Sequence, residues 1–289
     1  MIIFGAGYLG GELARQALAR GLKVTALTRN ARTAAALAAL GADVVVAELA
    51  DEAWHGQIAG GAEFVVNCVG AAGGTAGYRR SYVEGLRSVI AWARRAPAGT
   101  LVYTSSTSVY PQNGCERLTE EAPTDGAGET GQLLLEAEAR LRAARDACRR
   151  WFILRLAGIY GPVRHRLLDE LRAGATTLTG CGRHHLNLIH RDDAVAAVWA
   201  ALCAPDDCTN EIFNVADDGA AARVEVAGWL AKRLGRPAPE FTGEPADGRR
   251  AVTPDRIIDN AKLKARLGWR PQFPTFREGY EKLLSQPGA

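Results

Sequence analysis

The stretch that decides the fold is residues 1–10, MIIFGAGYLG: an apolar run that passes directly into Gly5-x-Gly7-x-x-Gly10. A helical pattern follows at once, with Leu9, Leu13, Ala17 and Leu18 on one face and Gly21 placed to end it. Each glycine has a physical task. Gly5 permits a tight strand-to-helix turn, Gly7 lets a ligand approach the backbone, and Gly10 lets the helix pack close to the strand. The helix N-terminus then offers unpaired N–H groups to an anion, which is the arrangement a dinucleotide pyrophosphate requires. Glycine-rich loops are common, so the context carries the reading: LKVTALT at 22–28 supplies the second strand.

Working outward, short apolar strands alternate with amphipathic helices. Strands are expected at 42–49 (ADVVVAEL), 63–70 (EFVVNCVG), 100–106 (TLVYTSS) and 151–156 (WFILRL). Helices are expected over 31–40, 51–58, 78–95 and 131–149, with a Gly/Pro/Asp/Glu-rich loop over 111–128. This rhythm predicts an α/β fold of the Rossmann type, a doubly wound parallel sheet covered on both faces, with ligands bound at the carboxyl ends of its strands. Residues 1–160 form the expected dinucleotide-binding domain. A helix over 188–204 and a strand over 211–215 are expected to rejoin it within 191–215, and 161–289 otherwise forms a smaller C-terminal substrate lobe.

Composition limits the alternatives. With 47% hydrophobic and 23% charged residues, the 289-residue chain has an ordinary globular make-up, and a net charge of +3 argues against nucleic acid or an acidic membrane surface as partner. No apolar run is long enough to span a bilayer. A first strand at the very start leaves no room for a signal peptide, so a cytoplasmic location is expected. The six cysteines are scattered, which fits reduced thiols rather than a disulfide framework. Cys181, His184 and His185 hint at metal spacing, but nothing nearby in sequence completes a ligand set, and no metal is expected.

Several segments together resemble the extended, atypical short-chain dehydrogenases/reductases, the NAD-dependent epimerase/dehydratase group. They are Gly5–Gly10, NCVGA at 67–71, YVEG at 82–85, YTSSTSVYP at 103–111, LRLAGIYGP at 154–162, NLIHRDDAVAAV at 187–198 and DNAKLKARLGWRPQFPTFREGY at 259–280. The resemblance implies that Gly5, Gly7, Tyr8, Leu9 and Gly10 face the pyrophosphate. It places Glu48 and Leu49 beside the adenine, Val69 and Gly70 along the cofactor, and Ala157, Gly158 and Ile159 on the nicotinamide side. Ser106 matches the active-site Ser/Thr. Tyr110, Tyr160, His165 and His190 are brought near the strand ends as replacement proton donors or substrate contacts, with Asn187 beside them. At the tip of the second strand stand Thr28 and Arg29, with Arg32 close by, where a carboxylate would select NAD. A planar cation there suits a 2′-phosphate, so NADP is favoured over NAD.

One departure bears on mechanism. The group's Tyr-x-x-x-Lys pair is absent: in the register fixed by Glu138, Thr130 takes the tyrosine position and Leu134 the lysine position. No Tyr or Lys occurs between Pro111 and Arg150. A threonine hydroxyl is a poor acid or base near neutral pH, and leucine supplies no charge. Leu186 also replaces the arginine with which nucleotide-sugar enzymes of the group reach a substrate phosphate, and Tyr82 replaces a common asparagine. The expected function is therefore an NADP-linked oxidoreductase or epimerase with a substituted proton donor, acting on a small substrate. A non-catalytic NADP(H)-binding sensor or scaffold, or a nucleotide-sugar epimerase/dehydratase, stands as the alternative. The resemblance also implies a homodimer through helices 78–95 and 131–149, with Leu86, Val89, Ile90, Leu134 and Leu141 as its apolar surface.

Overall fold

A computed structural model of the protein describes residues 1–71, 73–244 and 254–285. Seven strands form one sheet: β1 (Ile2–Phe4), β2 (Thr25–Thr28), β3 (Asp43–Val46), β4 (Phe64–Asn67), β5 (Ala98–Ser106), β6 (Cys148–Leu156) and β7 (Glu211–Val215). Their order is β3-β2-β1-β4-β5-β6-β7, every pairing is parallel, and the direction of winding reverses between β1 and β4. That reversal opens a crevice at the strand ends. Parallel strands are covered on both faces and so carry continuous apolar runs, and Val65, Val66, Leu101, Val102, Ile153 and Leu154 are all fully buried.

One face of the sheet is covered by α1 (Tyr8–Ala19) and by a helix over Arg191–Leu202, which bury Leu13, Ala17, Val195 and Val198. α2 (Ala31–Ala39) follows β2 and is capped by Asn30. On the other face a helical segment runs from Gly74–Tyr78 through a wide turn, Arg79–Glu84, into α3 (Gly85–Ala93), beside α4 (Glu129–Ala143). There Phe4 packs against Trp54 and Trp92 at ring distances of 4.9 and 5.3 Å. Leu86, Val89, Ile90, Leu134 and Leu141 are buried within this single subunit. The side chains expected to form a dimer surface are thus spent on covering the sheet.

The second half forms α5 (Arg166–Arg172), α6 (the Arg191–Leu202 helix), α7 (Arg223–Arg233), α8 (Ala261–Leu267) and α9 (Phe276–Leu284); α6 and α8 pack into the core of the central sheet, and α5, α7 and α9 build the lobe. Leu168, Leu171, Val226, Leu230, Phe276 and Leu283 form its separate core. Several boundaries differ from the sequence reading: the helix expected over 51–58 is a single tight turn at Ala53–Gly56, and the loop expected over 111–128 contains the strand Glu116–Leu118. The helix expected from 188 begins at Arg191, because Leu188–His190 pairs as a strand with Gly158–Tyr160. The helix expected to reach 149 stops at Ala143, and β6 starts at Cys148. There Arg150 is buried, its guanidinium bonded to Thr100 Oγ1 and to the carbonyls of Leu202, Ala204 and Pro205.

Candidate functional site

A groove of ≈530 Å³ opens at the carboxyl ends of the central strands. Its floor is the β1–α1 turn. Gly5 has φ 79°, and a Cβ there would lie 2.5 Å from the Val69 backbone, so both conformation and space demand glycine. Gly7 differs: an added Cβ would meet only the Gly5 carbonyl, at 4.0 Å, so the open groove itself is what a side chain would fill. No side chain caps the start of α1 at Gly7, leaving its first-turn N–H groups for an anion. These residues fit a dinucleotide pyrophosphate. Gly10 does not line the groove; a Cβ there would sit 2.6 Å from the Gly5 carbonyl oxygen and 3.2 Å from Ile3 Cγ2, so its task is helix–strand packing.

At the β2 tip, buried Thr28 accepts from Asn30 N through Oγ1 at 3.2 Å. Arg29 donates to Glu48 Oε2 at 3.2 Å, with the arginine half exposed and the carboxylate largely covered. Glu48 also accepts from Leu49 N at 3.1 Å, and Arg80 Nε stands 3.9 Å from the same carboxylate. Leu49, Val69 and Gly70 continue the wall, and Ala157, Gly158 and Ile159 close the other side.

Ser106 ends β5 at the groove, its Oγ accepting from Ser108 N at 3.2 Å. The same groove is lined by Tyr8, Tyr78, Tyr82 and Arg164. Burial pushes the Tyr8 phenol up to about 12 against the pull of Arg191 and Arg164, whose guanidiniums each lie 5.5 Å from its ring centre. Burial likewise raises Tyr82. Arg164 and Tyr78 escaped the sequence reading. The available signals were Tyr78 standing one helical turn before Tyr82, and a short loop after IYGP that turns through Val163 at φ 57°.

The other expected residues lie outside this groove. Tyr110 is buried; its OH donates to Asn214 Oδ1 at 2.8 Å and accepts from Arg155 at 2.9 Å, and burial raises its pKa. Thr130 is half-buried in the first turn of α4. Tyr160 stacks on Tyr280 at 4.8 Å inside the lobe and is raised by burial. His190 caps α6 by accepting from Asp192 N at 3.3 Å, and burial lowers its pKa. His165 is buried with Nδ1 2.7 Å from Asp169. Asn187 clamps a lobe strand, donating to Arg256 O at 2.9 Å and accepting from Ile258 N at 2.7 Å. Five of the six are held by the partners named here, and none of the six lines the groove.

Behind the groove, Ser105 donates to Glu138 Oε1 at 2.6 Å, and Glu138 pairs with Arg155 through bonds of 2.7 and 3.1 Å. This buried unit joins β5, α4 and β6. Among the described residues no helix is long and apolar enough to cross a membrane.

Protein YeeZ of Escherichia coli K12 is 30% identical over 195 residues, 67% of this chain and 65% of that protein, so the chain spans just under two thirds of that relative's length. A 2-alkyl-3-oxoalkanoate reductase of Stenotrophomonas maltophilia is 28% identical over 254 residues, 82% of this chain and 76% of that protein. A double mutant of the dTDP-glucose 4,6-dehydratase DesIV from Streptomyces venezuelae, solved with NAD bound, superposes with a TM-score of 0.82 at 21% identity, covering 96% of this chain and 94% of the other. Residues 1–216 match a family description that takes in the whole glycine-lined groove, and on that match the chain belongs to the NAD dependent epimerase/dehydratase family.

Proposed function

We propose that this protein is an NADP-linked reductase that acts on a small substrate carrying a carbonyl and an anionic group, without the tyrosine–lysine relay of its relatives. The observation that carries this reading is the makeup of the groove. Ser106 and Arg164 line it, Leu134 is buried in the core, and no lysine is among the groove's described residues. Hydride is what the reduced nicotinamide supplies when bound. The Ser106 hydroxyl would donate to the substrate carbonyl, and Arg164 would pair with a carboxylate. The likeness to a 2-alkyl-3-oxoalkanoate reductase, named for a keto acid, supports that substrate class. Tyr8 and Tyr82, both raised by burial, stay neutral at pH 7 and act as hydrogen-bond donors rather than bases. General acid–base assistance is usually worth about 10²–10⁴-fold, so turnover is expected to be slow and to rest on positioning.

Arg29 supports NADP because its guanidinium is half exposed at the β2 tip, although Glu48 already takes part of its charge. The test is NADPH binding followed by oxidation of bound NADPH with a panel of short 3-oxo acids. Turnover lost in Ser106→Ala, with KM raised in Arg164→Ala, supports the reading. Tight NADPH binding without turnover on any member would replace it with the sensor reading, which the loss of the relay favours.

A further inference from the structure

We propose that Cys115, His185 and Asp255 form a binding site for a divalent transition-metal ion of the zinc class. The three residues come from segments far apart in sequence: the loop after β5, the short strand His185–Leu186, and the residue before the strand Arg256–Ile258. Their ligand atoms all lie within 4.8 Å of one another. Cys115 Sγ is 3.5 Å from His185 Nδ1 and 4.0 Å from Nε2, and His185 Nδ1 is 2.9 Å from Asp255 Oδ1. With bonds of about 2.3 Å to sulfur and about 2.0 Å to nitrogen, two tetrahedral zinc ligands stand about 3.5 Å apart. The sulfur–nitrogen distance already has that value.

The site is held from below. Gly114 N and Cys115 N donate to the Asp255 carbonyl at 3.0 and 2.8 Å, and Asp255 N donates to Asn113 Oδ1 at 2.9 Å. His185 N donates to Asp255 Oδ1 at 2.8 Å, and this bond holds the carboxyl below its usual range. Cys115 adopts φ 59°, a left-handed conformation uncommon for a side-chain-bearing residue, and it stands exposed where an ion can reach it. A thiolate and a carboxylate with a neutral imidazole neutralise a divalent ion, and mixed sulfur, nitrogen and oxygen donors select zinc or cobalt over magnesium or calcium. Three protein ligands leave a fourth position open.

A nucleophilic relay does not account for the cluster. In such a relay the carboxylate and the nucleophile address opposite imidazole nitrogens, whereas here both lie nearest Nδ1. The sequence spacing of Cys181, His184 and His185 is local, whereas the fold brings His185 to Cys115 and Asp255. The ion would clip the loop after β5 to the Arg256–Ile258 strand. There Arg256 donates to Thr107 O at 3.0 Å, next to Ser106, so the clip would steady the turn that carries the groove serine.

The test is a cobalt(II) titration of the full-length protein after chelator treatment. One equivalent should bind with a near-ultraviolet thiolate-to-cobalt charge-transfer band, and zinc should displace it. Cys115→Ser should abolish the band, Asp255→Asn should weaken affinity tenfold or more, and Cys181→Ser should leave both unchanged. Circular dichroism checks that each variant is folded, and zinc should raise the thermal midpoint of the unmodified protein but not of Cys115→Ser. Absence of the band, its survival in folded Cys115→Ser, or its loss in Cys181→Ser would overturn the proposal.

Discussion

Replacing Glu138 with alanine tests the buried unit that joins β5, α4 and β6 behind the groove. Glu138 and Arg155 have side-chain exposures of 3% and 6% and meet through two hydrogen bonds, with Ser105 as a third partner of the carboxylate. In Glu138→Ala the guanidinium keeps only Tyr110 OH at 2.9 Å and the Glu120 carbonyl at 3.5 Å, while its charge stays out of water. Breaking one side of such a pair costs about 3–5 kcal/mol, a large share of the roughly 5–15 kcal/mol that holds a domain together. At about 2–4 °C per kcal/mol for a large domain, the thermal midpoint should fall by roughly 6–20 °C. Urea denaturation followed by circular dichroism measures the loss directly. The double variant Glu138→Leu with Arg155→Met should recover most of it, since an apolar pair leaves no orphaned charge. A single-variant loss under about 1 kcal/mol, or a double variant whose losses simply add, would refute the reasoning.

Four further perturbations separate the roles of individual residues. Gly7→Val should keep the fold, because its side chain enters open space, and should abolish NADPH and NADH binding by fluorescence titration. Gly10→Ala should instead destabilise by about 1–3 kcal/mol in urea titration, because its Cβ meets the Gly5 carbonyl. Arg29→Asp should reverse the NADPH-over-NADH preference, and equal binding of the two by the unmodified protein would remove the argument from Arg29. Burial, with Asp218, Asp193 and Glu278 nearby, raises Asp217 to about 8. A carboxyl raised on folding stabilises below its unfolded value near 4 and loses that contribution as pH climbs through 8. The thermal midpoint should therefore fall across that window, and Asp217→Asn should flatten the slope.

The sheet was legible because parallel strands buried on both faces must be written as apolar runs, and the cofactor wall because glycines at Gly5 and Gly7 have no cheaper explanation. Short elements were not. Leu188 and Ile189 suit a helix as well as a strand, and only the partner Gly158–Tyr160 decides between them. The proton-donor candidates misled for a related reason. Sequence places Tyr110 four residues past Ser106, but the intervening turn, Thr107–Val109, carries the phenol into the core beside Asn214. Cys115 and His185 lie 70 residues apart, as do His185 and Asp255, so no local spacing could announce them.

In the proposed register, Thr130 and Leu134 make sense together once the packing is known. A lysine at 134 would have to reach the groove from a position that is fully buried, next to Glu138 and Arg155 one turn away on the same helix face and the facing strand. Leucine instead joins the sheet-covering core, and α4 seats against the Ser106 turn through Gly131, where a Cβ would lie 2.8 Å from the Ser108 carbonyl. Losing the cation removes the reason to keep a tyrosine one turn earlier, because an unassisted phenol is too weak an acid to exchange its proton readily at neutral pH. Ser106 shares the groove with the phenols of Tyr8, Tyr78 and Tyr82 and the guanidinium of Arg164. That set orients and binds a carbonyl far better than it transfers a proton, and this is the ground of the proposed slow, binding-dominated reduction.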